Sequence, residues 1–225
     1  MSKLKDALQS QVGRKLITGI TGLGLVLFII IHLLGNLSYF AGPEAINTYS
    51  HTLHELGALL WIARIGLLAF FLFHVYQGLS IWLEKRRARP VGYHSYASRG
   101  EPSRQSWSAK SMAITGVVLF VFVIFHLNTF AFHDFQTVVI DGVEMHDVHS
   151  RLTEVFQYEV YTISYVITMV LLGMHLRHGV WSSFQSLGWL SRKTNPVIYS
   201  IAYALALIIA VGFIGLPLSI YFGLV

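Results

Sequence analysis

The stretch Ile20–Leu33, ITGLGLVLFIIIHL, is apolar from end to end apart from Thr21 and His32, and it returns at Ile114–Leu127 as ITGVVLFVFVIFHL. In both copies a Thr-Gly pair opens the run, and one histidine, His32 or His126, stands near its far end. An ionisable side chain in hydrocarbon is costly, so one that persists there marks a functional position by default. Two at matching depth on echoing segments look like a pair of ligands.

The chain of 225 residues is 54% hydrophobic and only 12% charged, whereas a soluble domain carries roughly 25% charged residues. Apolar runs recur, each near the ~20 residues that a helix needs to cross ~30 Å of hydrocarbon. The expected fold is therefore all-α, a single-domain integral membrane bundle of five transmembrane helices. The spans fall at about 15–39, 57–84, 109–132, 153–189 and 196–222, with the first four forming the core. The absence of cysteine excludes disulfides, thiolate metal sites and C-x-x-C-H haem attachment.

Between the spans the pattern changes. Residues 1–13 place Leu4, Leu8 and Val12 on one face, as in an interfacial amphipathic helix. Arg14 and Lys15 precede an apolar run as in a secretory signal. The run exceeds the ~7–15 residues of a signal core, so it reads as a retained span. Residues 41–56 form a polar connection that opens with Gly42-Pro43, and TVVIDGVEM reads as a hairpin around Asp141-Gly142.

Net charge is +5, and its distribution explains it. Thirteen Lys and Arg residues fall on the N-terminus, the loop between spans II and III, and the IV–V turn; only Arg64 and Arg151 fall on the other side. The positive-inside rule places the N-terminus in the cytoplasm and, with five spans, the C-terminus outside the cytoplasmic membrane. Topology accounts for the basic excess without nucleic acid.

Spans II and IV echo each other as LFHVYQGLSIW (Leu72–Trp82) and GMHLRHGVWSS (Gly173–Ser183). Both contain H-x-x-x-G: His74 with Gly78, and His175 with Gly179. At i,i+4 the glycine lies on the histidine's own face and leaves room for a flat, bulky group. Counting from the charged ends puts His32 and His126 in the outer half and His74 and His175 deeper, toward the cytoplasm. Thr21 and Thr115 stand eleven residues before their histidines, ~16 Å nearer the cytoplasm, about level with the inner pair. Two pairs of neutral imidazoles in an apolar four-helix core suit two haem b groups, each with two open axial positions. Arg177 and His178, beside His175, could reach a haem propionate. His133, His146 and His149 share an outer loop with Asp134, Asp141, Glu144 and Asp147, as a solvated cap or an adventitious metal site; His94 lies in the cytoplasmic loop.

On IIIHLLGN around His32, LFHVYQGLSIW around His74, TGVVLFVFVIFH ending at His126 and MHLRHGVWSSF around His175, the chain resembles a known family. It is the di-haem cytochrome b membrane anchor of succinate:quinone oxidoreductases, the succinate dehydrogenases and fumarate reductases, and the likeness covers about residues 14–222. The resemblance implies that His32 and His126 ligate the outer haem iron, and His74 and His175 the inner. It implies cytoplasmic flavoprotein and iron–sulfur partner subunits, electron transfer between the iron–sulfur clusters and a membrane quinone, and no dicarboxylate site on this chain. Menaquinone is favoured over ubiquinone. Quinone chemistry near the outer haem needs a proton-handling group, for which Glu44, His51, His54 and Glu55 are candidates. Gly173 stands where some fumarate-reducing relatives carry a glutamate that moves protons, so that path is not expected here. The alternatives are an anchor of another respiratory complex, such as a hydrogenase or formate dehydrogenase, and a histidine-lined metal-ion permease.

Overall fold

Within hydrocarbon every backbone N–H and C=O must find its partner in its own segment, so apolar runs of this length fold as helices. The computed structural model describes residues 2–89, 91 and 107–225; His94, Arg99 and Arg104 lie outside the described residues. In chain order the elements are α1 (Ser2–Gln9), α2 (Gln11–Leu37), a 3₁₀ turn (Ser38–Ala41), α3 (Pro43–Glu55), α4 (Ala58–Arg87) and α5 (Trp107–Phe130). They continue with the strands β1 (Thr137–Ile140) and β2 (Val143–His146), then α6 (Val148–Gln157), α7 (Glu159–Ser186) and α8 (Thr194–Tyr221). Five of these, α2, α4, α5, α7 and α8, are long and apolar enough to cross a membrane. The chain is an all-α, multi-pass membrane bundle.

The connections carry more structure than the sequence announced. The polar stretch after span I is largely helical. Pro43 sits at the first position of α3, where its missing N–H costs nothing, and the Glu44 carboxylate in the first turn suits the positive end of the helix dipole. The hairpin forms as expected, with Asp141 and Gly142 both at positive φ, as a two-residue turn requires. Span IV differs from the expected single helix over 153–189. The extended backbone at Tyr158 separates α6 from α7, and the Thr162 hydroxyl crosses the break to donate to the Phe156 carbonyl at 2.7 Å. At the other end Gly188, at φ +76°, stops α7 before Trp189; the Trp189 N–H returns to the Phe184 carbonyl in a Schellman closure.

Neighbours define a ring. α2 packs against α4 and α7, α5 packs against α7, and α4 and α5 meet only lightly; α8 lies outside, against α7 and α2. Around the ring α4–α2–α7–α5, helices α2 and α5 are diagonal, and so are α4 and α7. Adjacent members run antiparallel. Arg14 at the start of α2 pairs with Glu84 at the end of α4, and Trp181 late in α7 donates to Asn195 early in α8 at 2.8 Å. The apolar core sits between α2, α7 and α8, around Leu33, Met169, Leu176 and Ile209.

Candidate functional site: two histidine pairs across the ring

Antiparallel neighbours bring residues early in one span level with residues late in the next, and this produces two layers. In the layer near the N-terminal end, His74 of α4 faces His175 of α7 across one diagonal, with ring centres 6.3 Å apart and planes at 70°. In the layer near the hairpin end, His32 of α2 faces His126 of α5 across the other diagonal, at 5.7 Å and 86°. The eleven residues from Thr21 to His32 put about 16 Å between the layers at 1.5 Å per residue. The sequence-derived pairs are the pairs that meet.

The neighbouring helix holds one nitrogen of three of these rings. His175 Nδ1 lies 3.0 Å from Thr115 Oγ1 of α5. His74 Nδ1 lies 3.3 Å from the Thr18 carbonyl and 3.5 Å from Thr21 Oγ1, both on α2. His126 Nδ1 lies 3.2 Å from the Tyr165 hydroxyl of α7. His32 differs: its Nε2 contacts Asn36 Nδ2 of its own helix at 3.4 Å. Among the described residues no hydrogen bond reaches Nε2 of His74, His126 or His175. Thr21 and Thr115 were expected at this level; Tyr165 was not, and nothing in its local sequence signals it. The glycines after the threonines were also missed as contacts, although the repeated Thr-Gly pair was their signal. A Cβ on Gly22 would lie 3.1 Å from His74 Cε1, and one on Gly116 would lie 3.5 Å from His175 Cε1.

Both pairs have the donor chemistry and separation that haem requires. Two imidazoles that bond one metal through facing nitrogens at about 2 Å have ring centres roughly 6 Å apart, and the two pairs bracket that figure. An edge-to-face ring contact spans the same range, about 4.5–7 Å, but does not require a free Nε2 with Nδ1 engaged, the pattern found at His74, His126 and His175 and reversed at His32. One turn beyond His74, a Cβ on Gly78 would meet nothing within 4 Å, and one on Gly179 would touch only Met112 Cε at 4.0 Å. The glycine positions therefore line open space on the histidine faces.

Other expected residues part from the pairs. Arg177, two residues beyond His175 and so roughly 200° around the helix, lies against α8. It donates to the Tyr199 hydroxyl, and its guanidinium sits over the rings of Tyr199 and Tyr203 at 5.4 and 5.7 Å. His178 packs against Trp181 at 5.8 Å. At the hairpin end His51 and His54 line a cleft of about 400 Å³ with Thr137, Glu144, Met145 and His146. Glu55 is 3.5 Å from His51, whereas Glu44, in the first turn of α3, is not among the cleft walls. His149 stacks on Tyr39 at 4.4 Å and His133 lies beside Phe135. Among the described residues no cluster of three metal-ligating His, Asp or Glu side chains forms.

A polar joint fixes this end. Asn47 Nδ2 of α3 donates to Asp147 Oδ1 at 3.2 Å, the His149 N–H donates to Asn47 Oδ1 at 3.0 Å, and Asp147 caps α6 through the Ser150 N–H. Burial pushes the Asp147 carboxyl upward, but the hydrogen bonds from Ser150 and Asn47 outweigh it and leave the group below its ordinary value.

Fold and site together define a multi-pass helical membrane protein with two histidine pairs across its core. No protein-family model, curated protein or solved structure matches the chain.

Proposed function

We propose that this chain is the membrane anchor and electron-transfer subunit of a succinate:quinone oxidoreductase, with His74 and His175 holding one haem b and His32 and His126 a second. The observation that carries this reading is the meeting of the four span histidines as two diagonal pairs in two layers. A generic set of interhelical hydrogen bonds calls for neither the diagonal pairing nor the layering. Haem b bound there would supply one-electron steps at two depths.

The chain's own groups do the rest. Thr115, Thr18 and Tyr165 orient the imidazoles, and the apolar span residues exclude water from them. With the N-terminal end in the cytoplasm, the basic residues beside Arg14 and after Glu84 face a flavoprotein and iron–sulfur partner and the anionic headgroups of the inner leaflet. Quinone would react at the opposite end. There His51 and His54 border a cleft with Glu144 and His146 and can take or give the protons that accompany electron pairs.

A reduced-minus-oxidised spectrum of the purified chain, with identification of the subunits that accompany it, tests the proposal. Low-spin haem bands with a flavoprotein and an iron–sulfur protein are expected. A colourless preparation from haem-replete cells overturns it. Haem bands with a hydrogenase or formate dehydrogenase subunit would reassign the complex.

A further inference from the structure

Each Thr-Gly pair touches the imidazole of the adjacent helix. A neutral imidazole carries one hydrogen, on Nδ1 or on Nε2, and only the bare nitrogen can bind a metal. Hydrogen-bond bookkeeping around each threonine decides which nitrogen is bare.

A threonine hydroxyl has one hydrogen and two lone pairs. Thr115 Oγ1 lies 3.0 Å from the Ser111 carbonyl and 3.2 Å from the Met112 carbonyl of its own helix. Carbonyl oxygens only accept, so both draw the single hydroxyl hydrogen toward the threonine's own helix. Toward His175 Nδ1, at 3.0 Å, Thr115 can offer only a lone pair. With the hydroxyl hydrogen on the carbonyls of its own helix, Nδ1 bears the ring hydrogen and Nε2 is left bare. The first copy repeats the arrangement with an addition. Thr21 Oγ1 donates to the Ile17 carbonyl at 2.8 Å, and the ring's second neighbour, the Thr18 carbonyl 3.3 Å from His74 Nδ1, cannot donate at all. In each copy the following glycine keeps a Cβ away from Cε1 of the same ring.

We propose that each Thr-Gly pair is a clasp for the histidine of the adjacent helix: the threonine fixes the Nδ1–H tautomer, the glycine admits the ring, and Nε2 is presented bare to the pair's interior. The four are positioning residues that touch the ligand rather than what it binds. The inference deepens the proposed function, and it rests on that reading only for the identity of the group bound at Nε2.

The two clasps differ in a way that can be measured. Among the described residues the threonine is the only Nδ1 partner of His175, whereas at His74 the Thr18 carbonyl remains after Thr21 is altered. Thr115→Val should therefore disturb its ring more than Thr21→Val. The glycines reverse the order, since the 3.1 Å approach at Gly22 is tighter than the 3.5 Å approach at Gly116. Gly22→Ala should be the more damaging of the two.

The test uses the full chain, labelled with ¹⁵N-histidine, in lipid and made under haem-limited growth, so that the tautomer is read on the haem-free rings, where no bound metal dictates it. Nitrogen NMR should place the hydrogen of His74 and His175 on Nδ1. Thr115→Val should move or mix the His175 tautomer and lower haem retention under haem-limited growth by about 10–100-fold in affinity, and Thr115→Ser should restore both. A wild-type His175 carrying its hydrogen on Nε2, or a Thr115→Val protein unchanged in tautomer and haem retention, overturns the clasp. If Thr115→Val does not accumulate, the wild-type spectrum alone decides. A colourless wild-type protein with Nδ1–H tautomers would sink the haem reading and leave the clasp standing.

Discussion

An imidazole in an apolar span is stabilised by a partner on each nitrogen, because an unpaired polar group there costs several kcal/mol. Nδ1 is occupied by a neighbouring helix at His74, His126 and His175, and haem would take the other nitrogen. Since each layer is built from its own diagonal, His175→Leu should remove the inner haem and spare the outer, and His126→Leu the converse. The haem-to-protein ratio should halve in each, and loss of all haem from both single variants would contradict independent layers. A second residue-scale prediction concerns Asp147, whose carboxyl is held below its ordinary value in the folded protein despite the opposing effect of burial. A depressed carboxylate stabilises the fold fully above its unfolded pKa of about 3.9, and that stabilisation drains away as pH falls through the lower folded value. Asp147→Ala should cost about 1 kcal/mol as a lost cap, with more for the buried Asn47 it leaves short of a partner. In thermal unfolding the gap from wild type should be widest at neutral pH and should narrow below about pH 4. A gap independent of pH would mean that the charge contributes nothing.

Between elements, the closest packing joins α7 to α8. A Cβ on Gly173 would lie 3.0 Å from Ala210 Cβ, and Ala202, Ala206 and Ala210 form a buried stripe along α8, the small-residue contact by which membrane helices approach closely. Gly173→Leu should force the helices apart at a cost of about 1–3 kcal/mol, read as a lower melting temperature with both histidine pairs still in place. An unchanged melting temperature would show that the contact is slack. This glycine also marks where the sequence became opaque. Its resemblance-based reading concerned a missing glutamate, while its packing partner lies on a span that carries no histidine and drew no attention. Spans, hairpin and histidine pairing were legible because each is written in a local pattern: an apolar run, an Asp-Gly turn, or a histidine counted from the nearest charge. The break at Tyr158, the Tyr165 contact and the turn of Arg177 toward α8 were not, because partners distant in the chain decide them. The joint between Asn47 and Asp147 couples residues 100 positions apart, and no local pattern contains it.

Across the whole molecule, burial is uneven. Helices α2, α7 and α8 share the apolar core, whereas α4 buries no residue and α5 buries only Ser108, Thr115 and Thr129. Yet α4 and α5 supply one histidine each, one to either diagonal: His74 from α4, His126 from α5. The two helices least held by side-chain packing are thus the two that a bound group would tie to the rest of the ring. A ligand that binds only the folded arrangement stabilises it by about 2.7 kcal/mol at about 100 times its dissociation constant, which slows local opening by about a hundredfold. Chain made under haem limitation should therefore exchange the backbone amides of α4 and α5 about a hundredfold faster than haem-replete chain, with α7 and α8 little changed. Mass spectrometry of hydrogen exchange in detergent or nanodiscs reads the difference segment by segment. Equal protection of all five spans with and without haem would mean that lipid and packing alone hold α4 and α5, and that the histidines do not fasten the ring.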